Sequence, residues 1–342
     1  MEMLYENSQI LQLYYALKQK NLVYNHNFTY FSNKTSNTPV EYNHPDGWIY
    51  IDKGTGGQIS LKHEQCRIVK SSDASITMHF RQQLHEFPRW KSVLLGQHVT
   101  SQIQLSAETD CTISLKLEDG VTTSQKTLSL SANNQITVNL EIDIADNASS
   151  LTFELSCSTP SAVICINYVI ANIGNVAIET LPCMVSGIIG ERKQYIATAN
   201  PPAEELSLCE TPVALNEHQT RLNSVINYRF GKQGDFSLLP DLRGYFSRAW
   251  NNASNIDKNA DEREMAGSPN IQGDYVGTVE PDIFKEHKHT LNFAPINILN
   301  PTNGSPSNGV NITSTSDTQV TTKGHQETRP INIAELYTIK WA

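Results

Sequence analysis

From Asn21 to about Ile173, apolar side chains recur at every second position in short runs separated by polar turns. LVYNHNFTYF, GWIYID, GQISLKH, SITMHF, SQIQLSA, CTISLKLED, KTLSLSA, QITVNLEID, LTFELSC and VICINYVIANI follow one another, divided by turns such as KGTGG, SANNQ and DNASS. Side chains alternate faces along a strand, so each run predicts a strand with one buried and one wet face. About ten strands at near-regular spacing predict a mainly β fold, with a jelly-roll or β-sandwich over residues 21–196.

Outside that region the pattern changes twice. Residues 1–20 predict a short helix, with Met3, Ile10 and Leu17 seven apart and Leu13 between them. Fewer than three heptads leaves two readings open, a helix packed on its own domain or the seed of a trimer. Around 197–210 three prolines in ANPPAEELSLCETP mark a connector, and NEHQTRLNSVINYRFG after it predicts a helix and a turn. Residues 300–324, NPTNGSPSNGVNITSTSDTQVTTKG, have no aromatic and only Val and Ile as larger apolar residues. Such a stretch cannot offset its ordering entropy alone, so it is a loop or is ordered by neighbouring chains. RPINIAELYTIKW then predicts a last strand. The expected divisions are 1–20, 21–196, 197–252 and 253–342.

Composition narrows the function. Across 342 residues, 39% are hydrophobic and 18% charged, with Asn, Ser and Thr filling the difference. The formal charge of -9, without a block of Lys and Arg, argues against nucleic acid as partner. The six cysteines form no C-x-x-C pair, and most sit in apolar runs, so reduced structural thiols are expected. The N-terminus MEMLYENSQILQLYY has neither the basic start nor the apolar core of a secretory signal, and no run is long enough to span a bilayer. No G-x-S-x-G, H-E-x-x-H or Walker pattern occurs, so an enzyme is not expected.

One local feature carries metal chemistry. His287 and His289 lie two apart, which places both imidazoles on one face of a strand. Three parallel chains would bring six imidazoles together, an octahedral set suited to a transition metal. Two surface histidines are the other reading.

Three segments together resemble the phage tail-fibre and tail-collar family. SLLPDLRGYFSRAWNN (237–252) is similar to its Leu-Pro-Asp-Leu-Arg-Gly-x-Phe signature and the Arg-Ala-Trp continuation. IQGDYVGTVEPDIFKEHKHTLN (271–292) is similar to its Gln-Gly-Asp stretch running into His-x-His, and GHQETRPINIAELYTIKW (324–341) resembles its Glu-Thr-Arg-Pro-x-Asn-Ile-Ala ending. The resemblance implies a homotrimer with a collar-like domain and an intertwined, β-rich receptor-binding tip. A transition metal, iron or zinc, would sit on the three-fold axis, held by His287 and His289. The implied setting is a virion tail fibre joined to other fibre or baseplate proteins. The implied partner is a bacterial surface glycan such as lipopolysaccharide, or an outer-membrane protein. A bacterial trimeric adhesin built from the same modules and a polysaccharide-degrading tail spike are the alternatives.

Asp241 and Arg243, two apart, could share a face and pair across chains, and Arg329 precedes Pro330 at the start of the last strand; these three read as fold or trimer residues. Trp250 reads as core. LVYNHNFTYF with PDGW (22–31 and 45–48) resembles the start of jelly-roll carbohydrate-binding modules. By residue type Trp48, Tyr50, His85 and Trp90 are then candidate sugar contacts, with a core role for the tryptophans, or a docking role for the whole domain, left open. In the polar stretch 300–324, Asn303, Asn308 and Asn311 suit hydrogen bonds to sugar hydroxyls, and suit solvation equally.

Overall fold

The computed structural model describes residues 19–32, 44–54, 56–196, 201–266, 268–281 and 332–342. The expected helix at 1–20 falls outside them apart from its last two residues, as do His287, His289, Asn303, Asn308, Asn311 and Arg329. The chain divides into two compact units, residues 1–280 with 335–342, and residues 281–334. The last strand belongs to the first unit.

The first unit is built on two five-stranded antiparallel sheets. One has the order β1 (Ile49–Ile51), β4 (Met78–Gln83), β9 (Thr152–Cys157), β6 (Cys111–Glu118), β7 (Thr123–Leu130). The other has the order β2 (Gln58–Lys62), β3 (Gln65–Val69), β10 (Val163–Ile173), β5 (His98–Ala107), β8 (Gln135–Asp143). This is the mainly β sandwich that the alternation predicts. In β4 and β6 every second residue is buried, among them Met78, Phe80, Ile113, Leu115 and Leu117. A short helix, α1 (Trp90–Leu94), covers one end through Leu94.

Between the sheets Trp48 lies flat on Phe80, with ring centroids 4.5 Å apart and planes 7° apart, and meets Phe153 edge-on. Full burial of each such ring stabilises by about 1.5–3 kcal/mol. The six cysteines are free, and Cys66, Cys111, Cys157 and Cys165 are buried small apolar groups.

Residues 22–31 are not the strand their alternation predicts. Asn25 and Phe28 have left-handed backbone (φ 52° and 59°), and the chain turns there. The reason is polar: the Asn25 side chain accepts from Tyr30 N and donates to the carbonyls of Tyr30 and Asp46, a local closure that a strand cannot make. Phe28 is thereby turned into the core.

A second, smaller core contains Val185, Ile189, Leu208, Leu215, Leu222, Ile226 and Ile339. Its sheet sets β13 (Leu336–Lys340) between β11 (Arg192–Tyr195) and β12 (Glu205–Ser207). Buried Glu205 anchors it, accepting from Lys193 Nζ and Tyr195 OH at 2.8 Å each and from Thr338 Oγ1. Helix α2 (Thr220–Ile226) is the helix expected after the prolines, and it ends on Asn227 in left-handed conformation.

The two cores are joined by buried polar groups. Glu86, just beyond β4, accepts from Thr220 N (2.6 Å), Thr220 Oγ1 (2.5 Å) and Arg221 N (2.9 Å), which satisfies the first amides of α2. The fully buried Arg221 guanidinium donates to Glu86 O (3.1 Å), Leu22 O (2.9 Å) and Gln82 Oε1 (3.4 Å). Burial lowers the Arg221 pKa and raises that of Glu86, and each charge opposes the shift of the other. Arg221→Ala would leave the buried carbonyls of Glu86 and Leu22 without this donor and the Glu86 carboxylate without its nearby positive charge, so it should lose about 3 kcal/mol of stability. In urea unfolding, the double variant Glu86→Gln/Arg221→Met should recover part of that loss; two independent, additive losses would show that the charges do not compensate each other.

Candidate functional site

The outer face of the β2-β3-β10-β5-β8 sheet carries a row of amides. Gln102 and Gln104 on β5 point away from the core because Ile103 and Leu105 point into it. Thr137 and Asn139 on β8 stand opposite Gln104 and Gln102. On β10 the register slips between Ile166 and Tyr168. This β-bulge places an extra residue on the strand and re-aims its side chains. Ile164 and Ile166 face the core before it, and Val169 and Ala171 after it. Asn167 and Tyr168 therefore both reach the outer face.

These side chains hold one another. Gln65 Nε2 donates to Asn167 Oδ1 at 2.7 Å, and Asn167 Nδ2 donates to Gln104 Oε1 at 2.7 Å and to Gln135 Oε1 at 3.3 Å. Tyr168 OH donates to Gln102 Oε1 at 2.8 Å, and Gln102 Nε2 donates to Asn139 Oδ1 at 2.9 Å. Each amide spends part of its capacity inside the row and keeps part for a ligand. A row fixed in advance loses little side-chain entropy on binding.

Beside the row lies a groove of about 800 Å³, bordered by Asn167, Tyr168, Gln104 and Gln65. One wall is the 26–29 segment, tied to β10 where Val169 N donates to His26 O at 2.9 Å. Another is the two-residue turn His63–Glu64 joining β2 to β3. Both turn residues have positive φ, 49° and 62°, where a tight hairpin favours Asn and Gly. Glu179 closes the border. Burial lowers the His26 pKa, with Glu179 opposing the shift; burial also raises that of Tyr168, and Glu179 adds to it. Amides, a phenol and imidazoles around an open groove can donate to and accept from a ligand rich in hydroxyls, and the Tyr168 ring supplies an apolar surface.

None of the four aromatic or imidazole candidates lies in this groove. Trp48 is 0% exposed and is a core side chain, its indole N–H donating to Asn25 O at 3.3 Å. Trp90 is partly buried against the same core and meets His85 edge-on, with centroids 4.9 Å apart. Tyr50 is half-buried with its hydroxyl on Asp52 Oδ2 at 3.3 Å. His85 is 1% exposed. Its Nδ1 lies 3.0 Å from Leu151 N and 3.2 Å from Leu151 O, and its Nε2 lies 3.4 Å from His218 Nδ1. Trp48 and His85 are closed inside the sandwich, and Tyr50 and Trp90 are partly buried against it.

Asp241 and Arg243 do form a forked pair, with Nε and Nη2 on the carboxylate at 2.9 and 2.6 Å, but within one chain, and this pulls the Asp241 pKa down to about 2. Trp250, expected in the core, is 36% exposed and donates to Asp274 O at 3.0 Å. Tyr245 and Phe246 beside it are more than half exposed.

Sequence reasoning missed Gln65, Gln102, Gln104, Asn167 and Tyr168. A signal existed: in VICINYVIANI the apolar phase shifts by one at Asn167-Tyr168, which marks the bulge. The strand QCRIV, β3, was also not among the expected runs.

No protein-family model matches the chain, and no curated protein does. Among solved structures, a carbohydrate-binding module, CBM4, is similar at 17% identity and TM-score 0.32, over 44% of this chain and 99% of its own. A xylan-binding domain from Paenibacillus barcinonensis is similar at 11% identity and TM-score 0.33, over 46% of this chain and 97% of its own. A domain of tailspike protein 4 of Bacteriophage CBA120 is similar at 12% identity and TM-score 0.30, over 45% of this chain and 21% of its own. Each likeness covers less than half of this chain, and the function proposed below stands on the side chains described above.

Burial holds the His85 pKa down to about 4 against an ordinary 6.5. The unfolded chain therefore binds this proton first as pH falls, and stability is lost between about pH 6.5 and 4. At about 1.4 kcal/mol per pKa unit the loss is on the order of 3 kcal/mol. Denaturant midpoints across that window should fall less steeply for His85→Asn than for the parent; parallel curves would exclude His85 as the titrating group.

Proposed function

We propose that this chain is a receptor-binding subunit of a trimeric fibre of the phage tail-fibre kind, and that its sandwich binds a bacterial surface glycan on the outer face of the second sheet. The observation that carries the glycan reading is the bulge at Asn167–Tyr168, which sets two polar side chains into one fixed amide row beside an 800 Å³ groove. Bulges re-aim side chains next to working sites. Amides locked to amides offer donors and acceptors matched to sugar hydroxyls, which supports a glycan as the ligand.

The fibre reading is supported by the three segments that resemble the tail-fibre family, in order, over 237–341. It is also supported by Tyr245, Phe246 and Trp250, exposed apolar side chains within the first of those segments. His287 and His289 belong to the same reading as ligands of a metal shared by three chains.

Retardation in gels cast with neutral polysaccharides measures binding directly. Tyr168→Ala should weaken it at least about tenfold while the melting temperature stays within about 2 °C, since Tyr168 stands outside the core. Unchanged retardation in the variant would remove the site. Light scattering should give three times the 38.2 kDa chain mass, with about one transition metal per trimer, lost in His287→Ala/His289→Ala. A metal-free monomer would contradict the fibre.

A further inference from the structure

Resting on the reading of this face as a glycan site, we infer that the groove selects oligosaccharides without negative charge, with Glu64 and Glu179 as the groups that turn carboxylated sugars away. Both carboxylates border the groove and both side chains are exposed there. Among the described residues no Lys or Arg borders it. The two basic residues on the adjoining strands are engaged elsewhere. Arg67 forks onto Glu108 at 2.9 and 2.8 Å, and Lys62 lies 3.3 Å from the same carboxylate. Across the same sheet face His98 Nδ1 is 2.7 Å from Asp143. At the far end of the row the Lys126 ammonium donates to Asn139 O at 2.7 Å, away from the groove border. A carboxylated sugar lying in the groove would meet the like charges of Glu64 and Glu179, with no Lys or Arg on the border among the described residues.

The backbone supports the placement of Glu64. A His–Glu pair at two positive φ values costs conformational energy that Asn–Gly would avoid. The turn sets Glu64 on the border of the groove. The geometry also sets a length. Gln65, Asn167, Gln104 and Thr137 stand on four neighbouring strands, three steps of about 4.8 Å, so the row spans roughly 14 Å. A ligand of several sugar units crossing the strands fits that span better than a single monosaccharide.

The test compares one polymer in two charge states. A neutral polysaccharide that retards the protein is oxidised at its primary hydroxyls to carboxylates, and both forms are titrated by calorimetry. The parent protein should bind the oxidised form at least about tenfold more weakly, and the gap should shrink as salt rises. Glu64→Gln/Glu179→Gln should narrow the gap, read as the ratio of the variant's two affinities, to about twofold. Equal affinity for both forms, still lost in Tyr168→Ala, would overturn the charge selection and leave the site standing. A gap that the double variant does not narrow would also overturn it. Binding that does not depend on Tyr168, or no binding by any neutral polymer, would remove the site and this inference with it.

Discussion

The fold turns on the burial of Glu86 against Arg221. Two charges removed from water are tolerated only when almost every lone pair and proton finds a partner, and here the partners come from three places in the chain. Glu86 closes the start of α2. Arg221 takes carbonyls from Glu86 and Leu22, and Gln82, beside it on β4, accepts from Tyr24 N and donates to Tyr24 O. The pair therefore does more than join two cores. It fixes the 22–24 segment, and the chain leaving that segment becomes the 26–29 wall of the groove. A buried polar cluster on the inside thus fixes one wall of the groove proposed as the glycan site.

That surface is polar by construction. The inward residues of β5, β8 and β10 close the sandwich, and alternation leaves the outward positions free of packing demands. Gln102, Gln104, Thr137 and Asn139 occupy them, and one bulge adds Asn167 and Tyr168. The sequence that builds the core thus also builds the site, on a rigid sheet.

The class of fold was legible in the sequence because period-two alternation is a property of single strands, and nine of the ten expected runs are strands. The tenth, 22–31, failed because Asn25 bonds its own neighbourhood, a contest between local closure and alternation that composition does not decide. The site was less legible. Aromatic type pointed to Trp48 and Trp90, but a large ring is also the best filler of a sandwich, and burial claimed both. Trp250, assigned to the core on the same grounds, is exposed. The amides of the proposed site read as ordinary solvated positions, and only the phase slip at Asn167–Tyr168 set them apart. The Glu86–Arg221 pair, separated by 135 residues, had no sequence signal at all.

Hydrogen exchange with and without a bound polysaccharide tests the central claim most directly. If the glycan lies on the amide row, peptides covering 62–68 and 163–170 should gain protection together, while 237–252 stays unchanged. Protection confined to 282–331, with the sandwich peptides unmoved, would place recognition elsewhere in the chain and contradict the account.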